Sequence, residues 1–197
     1  TDDEHGQDFL NIKVEEKLPY KLNDLKLHTL HKDGIGLIFQ DADEEMTIRV
    51  PLVGLFNVYN TLAAITLTRA LGVNLRTIEE ALRTLPPIRG RVEHLTTAKD
   101  APKQVTAIVD YAHTPDSLEK LYQAFKDQKK VCVLGNTGGG RDTWKRPEMA
   151  HIAERYCDHI ILTNEDPYDE EPRKIIDEMV KGIEDKTKLE VVMDRRL

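Results

Sequence analysis

Between Val131 and Pro147 the chain reads VCVLGNTGGGRDTWKRP. An apolar strand runs into a short turn holding Gly135, Gly138, Gly139 and Gly140. Arg141, Asp142, Lys145 and Arg146 follow, and Pro147 sits where a helix is expected to begin. Glycine lets the backbone take positive φ and come close to a ligand, so peptide N–H groups can meet anionic oxygens. Three cations just beyond the turn suit a phosphate or a carboxylate. A tight turn that happens to be basic accounts for the same letters. GNTGGG also lacks the G-x-G-x-x-G spacing, and no G-x-x-x-x-G-K-[ST] loop occurs in the chain.

Two other segments carry similar equipment. One is Asp110-Tyr111-Ala112-His113-Thr114-Pro115, and the other is Thr163-Asn164-Glu165-Asp166-Pro167-Tyr168. Asp110 can accept hydrogen bonds from a ribose diol, as acidic residues do on nucleotide-binding sheets. Capping the next helix is its other reading, although Thr114 lies closer to the helix start. No serine or cysteine pairs with a histidine as nucleophile and base. Cations, amides and carboxylates of this kind stabilise a phosphorylated or carboxylate-bearing species electrostatically.

These segments need elements to hold them. From Arg89 onward apolar strands (105–110, 131–135, 159–163, 189–193) alternate with helices (115–127, 147–157, 172–184). That alternation predicts a Rossmann-like α/β unit with a mostly parallel sheet. Ligands of such sheets bind beyond the carboxyl ends of the strands, so the three segments are expected to share one rim. Residues 1 to about 50 read instead as an antiparallel meander of short segments at 9–14, 25–31, 36–40 and 46–50. A buried helix follows, with Leu55, Val58, Leu62 and Ile65 at helical spacing and Gly72 placed to end it. Asn57 and Asn60 share one face of that helix. Their amides suit either capping and backbone contacts or the edge of a purine. A second helix, 75–84, starts after Asn74 and stops at Pro86-Pro87. His5, His28 and His31 have no ligand-like spacing and read as surface residues, so no metal site is expected. Asp169-Glu170-Glu171 and Lys126 to Lys130 read as solvated faces.

A net charge of −7 over 197 residues argues against non-specific nucleic-acid binding. No apolar run approaches the roughly 18 residues of a membrane span, and the acidic start TDDEHGQDF has no signal-peptide core. Cys132 and Cys157 read as small buried apolar residues in a reducing compartment, with the cytoplasm as the expected setting.

GLFNVYNTLAA, IRGRVEHL, VDYAHTPDSLEKL and GGGRDTWKRPEMAHIAERYCDHIILTNEDP, in that order and spacing, resemble the Mur ligases from about Val50 onward. Within that family the resemblance is to the MurE branch, which adds the third residue of the peptidoglycan stem peptide. It implies an ATP-dependent amide ligase of cell-wall biogenesis, and hence of cell shape and division. Its substrates would be a UDP-N-acetylmuramoyl dipeptide and a diamino acid, joined through an acyl phosphate with Mg²⁺ screening the phosphates. It also implies residue roles. Asn57 and Asn60 would contact adenine, Arg91 the nucleotide phosphates and Asp110 the ribose, with His113 beside it. Arg141 and Lys145 would lie near the incoming amino acid and the transferred phosphate.

The departures from the family pattern carry further expectations. Branch members that add diaminopimelate share D-N-P-R, whose arginine grips the distal carboxylate; this chain has Glu165-Asp166-Pro167-Tyr168 there. Without that fork, carboxylates at 165 and 166 suit a cationic side chain such as lysine or ornithine, with Tyr168 in the arginine's place. Lys145 or Arg173 taking over the carboxylate is the competing reading. The glycine turn is one residue longer than the usual form. The family's phosphate loop, its carbamylated lysine and most of its Mg²⁺ ligands would precede residue 1. The expectation is therefore an internal piece, inactive alone. Residues 1–90 would end the central ATP-binding domain and 91–197 would form a truncated C-terminal domain, partnered by the missing N-terminal and central segments. A non-catalytic nucleotide-binding module, or a folylpolyglutamate or cyanophycin synthetase, are the alternatives.

Overall fold

Met46, Ile48 and Val50 alternate with exposed neighbours, and that two-residue period places all three on one buried face of a strand. The computed structural model describes residues 2–140 and 142–195, so Arg141 lies outside the described residues. The chain divides into two units, Thr1–Asp110 and Tyr111–Leu197.

In the first unit a short helix, α1 (Gly6–Asn11), precedes strands β1 (Leu25–His31), β2 (Gly34–Asp41) and β3 (Glu44–Val50). The strands form an antiparallel sheet in that order. Helices α2 (Leu55–Ala70) and α3 (Leu75–Arg83) follow. Val58, Leu62 and Ile65 of α2 and Leu75 and Ile78 of α3 join Ile35, Leu37, Met46 and Ile48 in one core. Gly72 takes φ +84 just past α2, and Asn74 caps α3 by accepting from the Thr77 N–H.

Two expectations for this unit are corrected. Residues 9–14 were expected as a strand, but the backbone turns helical from Gly6 to Asn11, with Asp8 in the first turn, where the helix dipole favours an acid. Phe9 stays 70% exposed, so no sheet face claims that segment. Residues 105–110 were expected to enter the parallel sheet. Instead β5 (Thr106–Val109) folds back antiparallel on β4 (Glu93–Thr96). The turn-rich Lys99-Asp100-Ala101-Pro102 reverses the chain between them, and the Thr97 N–H closes the hairpin on the Val105 carbonyl at 3.0 Å.

The second unit keeps the expected alternation: α4 (Pro115–Ala124), β6 (Val131–Leu134), α5 (Lys145–Tyr156), β7 (His159–Leu162), α6 (Pro172–Val180) and β8 (Leu189–Val191). The sheet is parallel, as read from the sequence, and runs in the order β6-β7-β8 without the 105–110 strand. Cys132, Leu134, Ile160 and Leu162 face Leu118, Met149, Ile152, Ile176 and Met179 from the three helices, forming one core on one side of the sheet. Val131 and Val133, on the other side, remain 65% and 63% exposed. The two cysteines are buried, as expected, but they are not separate thiols. A disulfide joins them across a Cα–Cα distance of 6.1 Å, which overturns their reading as reduced thiols and removes the support they gave to a reducing compartment. Strand β6 and the end of α5 bring the side chains together, a proximity that two cysteines 25 residues apart do not announce. Among the described residues no helix is long and apolar enough to cross a membrane.

Candidate functional site

Parallel pairing sets Leu134 opposite Leu162, so the segments that leave β6 and β7 start side by side. The Thr163 N–H continues the ladder to the Leu134 carbonyl at 3.1 Å, and the Gly138 N–H reaches the Asp166 carbonyl at 2.8 Å. Two of the glycines exist for this packing. A Cβ on Gly135 would lie 2.6 Å from the Thr163 carbonyl oxygen, and one on Gly138 would overlap the Pro167 carbonyl. Gly139 and Gly140 serve the turn itself, at φ +88 and +70. Asp142 and Tyr168 also take φ +51 without being glycines.

The three cations after the turn have different fates. Lys145 opens α5, is half-buried and makes no ion pair among the described residues. It lines a cleft of about 460 Å³ with Thr114, Asp142, Trp144 and Glu148. Arg146 is 0% exposed, which corrects its reading as a ligand-facing cation. Its guanidinium donates to both oxygens of Glu170 at 2.8 and 3.0 Å and to Glu178 at 2.7 Å. Arg141 is the third, outside the described residues.

Glu170 is likewise not the solvated charge expected from its run of acids. It also accepts the Gly140 N–H at 2.7 Å. Hydrogen bonding to Arg146 and then to that N–H holds its carboxyl down to about 2. Its neighbour Glu171 caps α6 by accepting from the Arg173 and Lys174 N–H groups. The sign of the pH dependence follows. A depressed acid contributes stability that is full above its unfolded value, near 4.5, and is lost as the pH falls toward 2. Urea midpoints at pH 7, 4 and 2.5 are expected to fall in that order, with the fall below pH 4 smaller in Glu170→Gln. An equal fall in the variant would remove Glu170 as its cause.

Glu165 is half-buried beside Gly135, Asp166 is exposed, and Tyr168 is 74% exposed at the end of the same loop. The structure thus places Lys145, Glu165, Asp166 and Tyr168 in one unit, the last three on the loop that touches the glycine turn and Lys145 at the start of α5. Arg173 is engaged with Asp177 at 2.9 Å. His113 stands exposed before α4, its Nδ1 2.9 Å from the Tyr111 carbonyl oxygen. Thr114, as expected, caps α4 through the Ser117 N–H.

Asn57, Asn60, Arg91 and Asp110 belong to the first unit. Asn57 donates to the Val53 carbonyl at 2.8 Å and accepts from the Asn60 amide at 3.1 Å, so backbone contact claims it and leaves Asn60 as the exposed amide. Asp110 accepts the Val92 N–H at 2.8 Å, steadying a residue at φ +49. That role is neither of the two read from the sequence. Among the described residues no group of three or more His, Cys, Asp or Glu could hold a metal ion. Reasoning from sequence missed the Arg146–Glu170–Glu178 clamp; an arginine between a lysine and a proline gives no sign of turning inward.

The family described as "Mur ligase, glutamate ligase domain" matches residues 90–197. A UDP-N-acetylmuramoyl-L-alanyl-D-glutamate–2,6-diaminopimelate ligase of Thermosynechococcus vestitus is 44% identical over 153 residues, covering 76% of this chain and 30% of the relative. A solved ligase of the same description is 28% identical with a TM-score of 0.51, over 91% of this chain and 37% of that one. MurF from Acinetobacter baumannii, at 22% identity, shares the fold with a TM-score of 0.65 over 87% of this chain and 36% of that one. The chain spans 30–42% of the length of the curated relatives it matches.

Proposed function

Because the chain belongs to the Mur ligase family, we propose that it is part of an ATP-dependent amide ligase of peptidoglycan precursor synthesis, working in the cytoplasm. Residues 1–90 would end the central ATP-binding domain and 91–197 would make up most of the C-terminal domain. The bond formed joins the terminal carboxylate of UDP-N-acetylmuramoyl-L-alanyl-D-glutamate to an amine of a diamino acid. The observation that carries this reading is half-buried Lys145, without an ion pair among the described residues, lining an open cleft with Thr114, Asp142, Trp144 and Glu148 just beyond the glycine turn.

ATP, when bound, supplies the phosphoryl group that activates a carboxylate. The donor set of the first unit suits a nucleoside. The exposed Asn60 amide, backed by Asn57, offers complementary groups to the adenine edge. Asp110 offers carboxylate oxygen to the ribose, and Arg91 offers charge to the phosphates. Among the described residues no group of three or more acidic, histidine or cysteine side chains could hold Mg²⁺. Lys145 and Arg141 neutralise charge that grows on the reacting carboxylate and phosphoryl oxygens.

Glu165 and Asp166 would receive the far end of the amino acid, with Tyr168 beside them. The relatives' names specify 2,6-diaminopimelate. Two carboxylates and a tyrosine favour a lone distal ammonium over an ammonium paired with a carboxylate. In the complete ligase, kcat/KM for lysine or ornithine is therefore expected to exceed that for diaminopimelate by about tenfold or more, one charge-assisted contact being worth that much. Selective use of diaminopimelate would sink the lysine assignment and leave the ligase reading standing.

A further inference from the structure

Arg146 lies beneath the rim, and three segments converge on it. Glu170 comes from the loop after β7, Glu178 from α6, and the Thr137 carbonyl from the glycine turn at 3.5 Å. Glu170 completes the link by accepting the Gly140 N–H from the far side of that turn. The Gly138 N–H joins the turn directly to the loop at the Asp166 carbonyl, and Glu170 supplies a second anchor two residues further on. A buried ion group of this kind is no more stabilising than a well-packed apolar one, because desolvation offsets the attraction. What a bidentate guanidinium–carboxylate pair adds is direction: two parallel bonds fix both position and plane.

We infer that Glu170 is a positioning residue for the incoming amino acid. Its carboxylate, gripped from below by Arg146, sets the distance between the glycine turn and the Glu165–Tyr168 loop. The inference rests on the reading of this rim as the amino-acid site. Glu178 shares Arg146 but no contact places it on the turn, so it serves as the control for mere stability.

The test is steady-state kinetics and thermal melting of the complete ligase carrying Glu170→Gln, Glu178→Gln, Glu165→Gln or Tyr168→Ala. Glu170→Gln keeps the volume and one acceptor oxygen but gives up the charged fork. It is expected to raise KM for the amino acid about tenfold, with KM for ATP within about twofold, the pattern of lost substrate positioning. Glu178→Gln is expected to lower the melting temperature and leave the amino-acid KM within about twofold. Unchanged amino-acid KM in Glu170→Gln, or an equal rise in Glu178→Gln, overturns the inference. Where Glu170→Gln does not fold, Glu170→Asp is measured against the same two outcomes. The underlying reading fails separately, when neither Glu165→Gln nor Tyr168→Ala changes amino-acid KM.

Discussion

Lys145→Ala in the complete ligase is expected to lower kcat by about 10²–10³, the usual cost of removing one preorganised group that meets charge in a transition state. The lysine is half-buried at the first position of α5, so a helix fixes where its side chain leaves the backbone. Neighbouring Arg146 cannot substitute, because its guanidinium is spent on Glu170 and Glu178. The loss should fall on kcat more than on KM for the UDP-linked substrate, since charge develops only as the acyl phosphate forms and breaks. A melting curve within a degree or two of wild type would separate chemistry from folding. A kcat within a few-fold of wild type would place Lys145 away from the reacting atoms.

The second large effect belongs to Gly138→Ala. A Cβ at that position would overlap the backbone of Pro167, where no flexible side chain can give way. The two loops must separate, breaking the Gly138–Asp166 hydrogen bond. Overpacking of this kind costs about 1–3 kcal/mol, readable as a lower urea midpoint for this chain. The displacement also reaches Glu165 and Tyr168, and misplacement by about 1 Å can cost roughly 10²-fold in rate. Gly140→Ala makes a useful contrast: its φ is +70 but nothing lies near its Cβ. It should strain the turn without prying the loops apart, so its effect on kcat/KM should be clearly smaller. Equal effects would mean that backbone conformation, rather than loop separation, governs the site.

How far the sequence speaks for itself varies along the chain. Apolar runs such as VCVL and IIL read as strands of a parallel sheet, and β6 and β7 form as read, although only one face of β6 is covered. Thr114 and Asn74 cap their helices because short polar side chains before an apolar period have few other uses. The apolar run at 105–109 misleads, since its partner β4 is four residues long and lies within a segment with no strand-like alternation. At the site, the convergence of the glycine turn and the 163–168 segment was legible from strand polarity. The assignment of charges was not: composition shows three cations and three acids near each other, and only packing decides that Arg146, Glu170 and Glu178 are consumed internally. Nor can letters reveal that Asn57 spends its amide on Val53.

The three helices of the second unit all gather on one side of its sheet, which leaves Val131 and Val133 bare on the other. For anyone preparing this 197-residue chain as a reagent, that surface governs handling. Adjacent β-branched residues on an open strand are an adhesive strip, ready to pair with a neighbouring molecule as concentration rises. Threonine at both positions would keep the branched shape a strand prefers while wetting the face. Colloidal behaviour would then improve without disturbing Cys132 and Leu134, which point the opposite way.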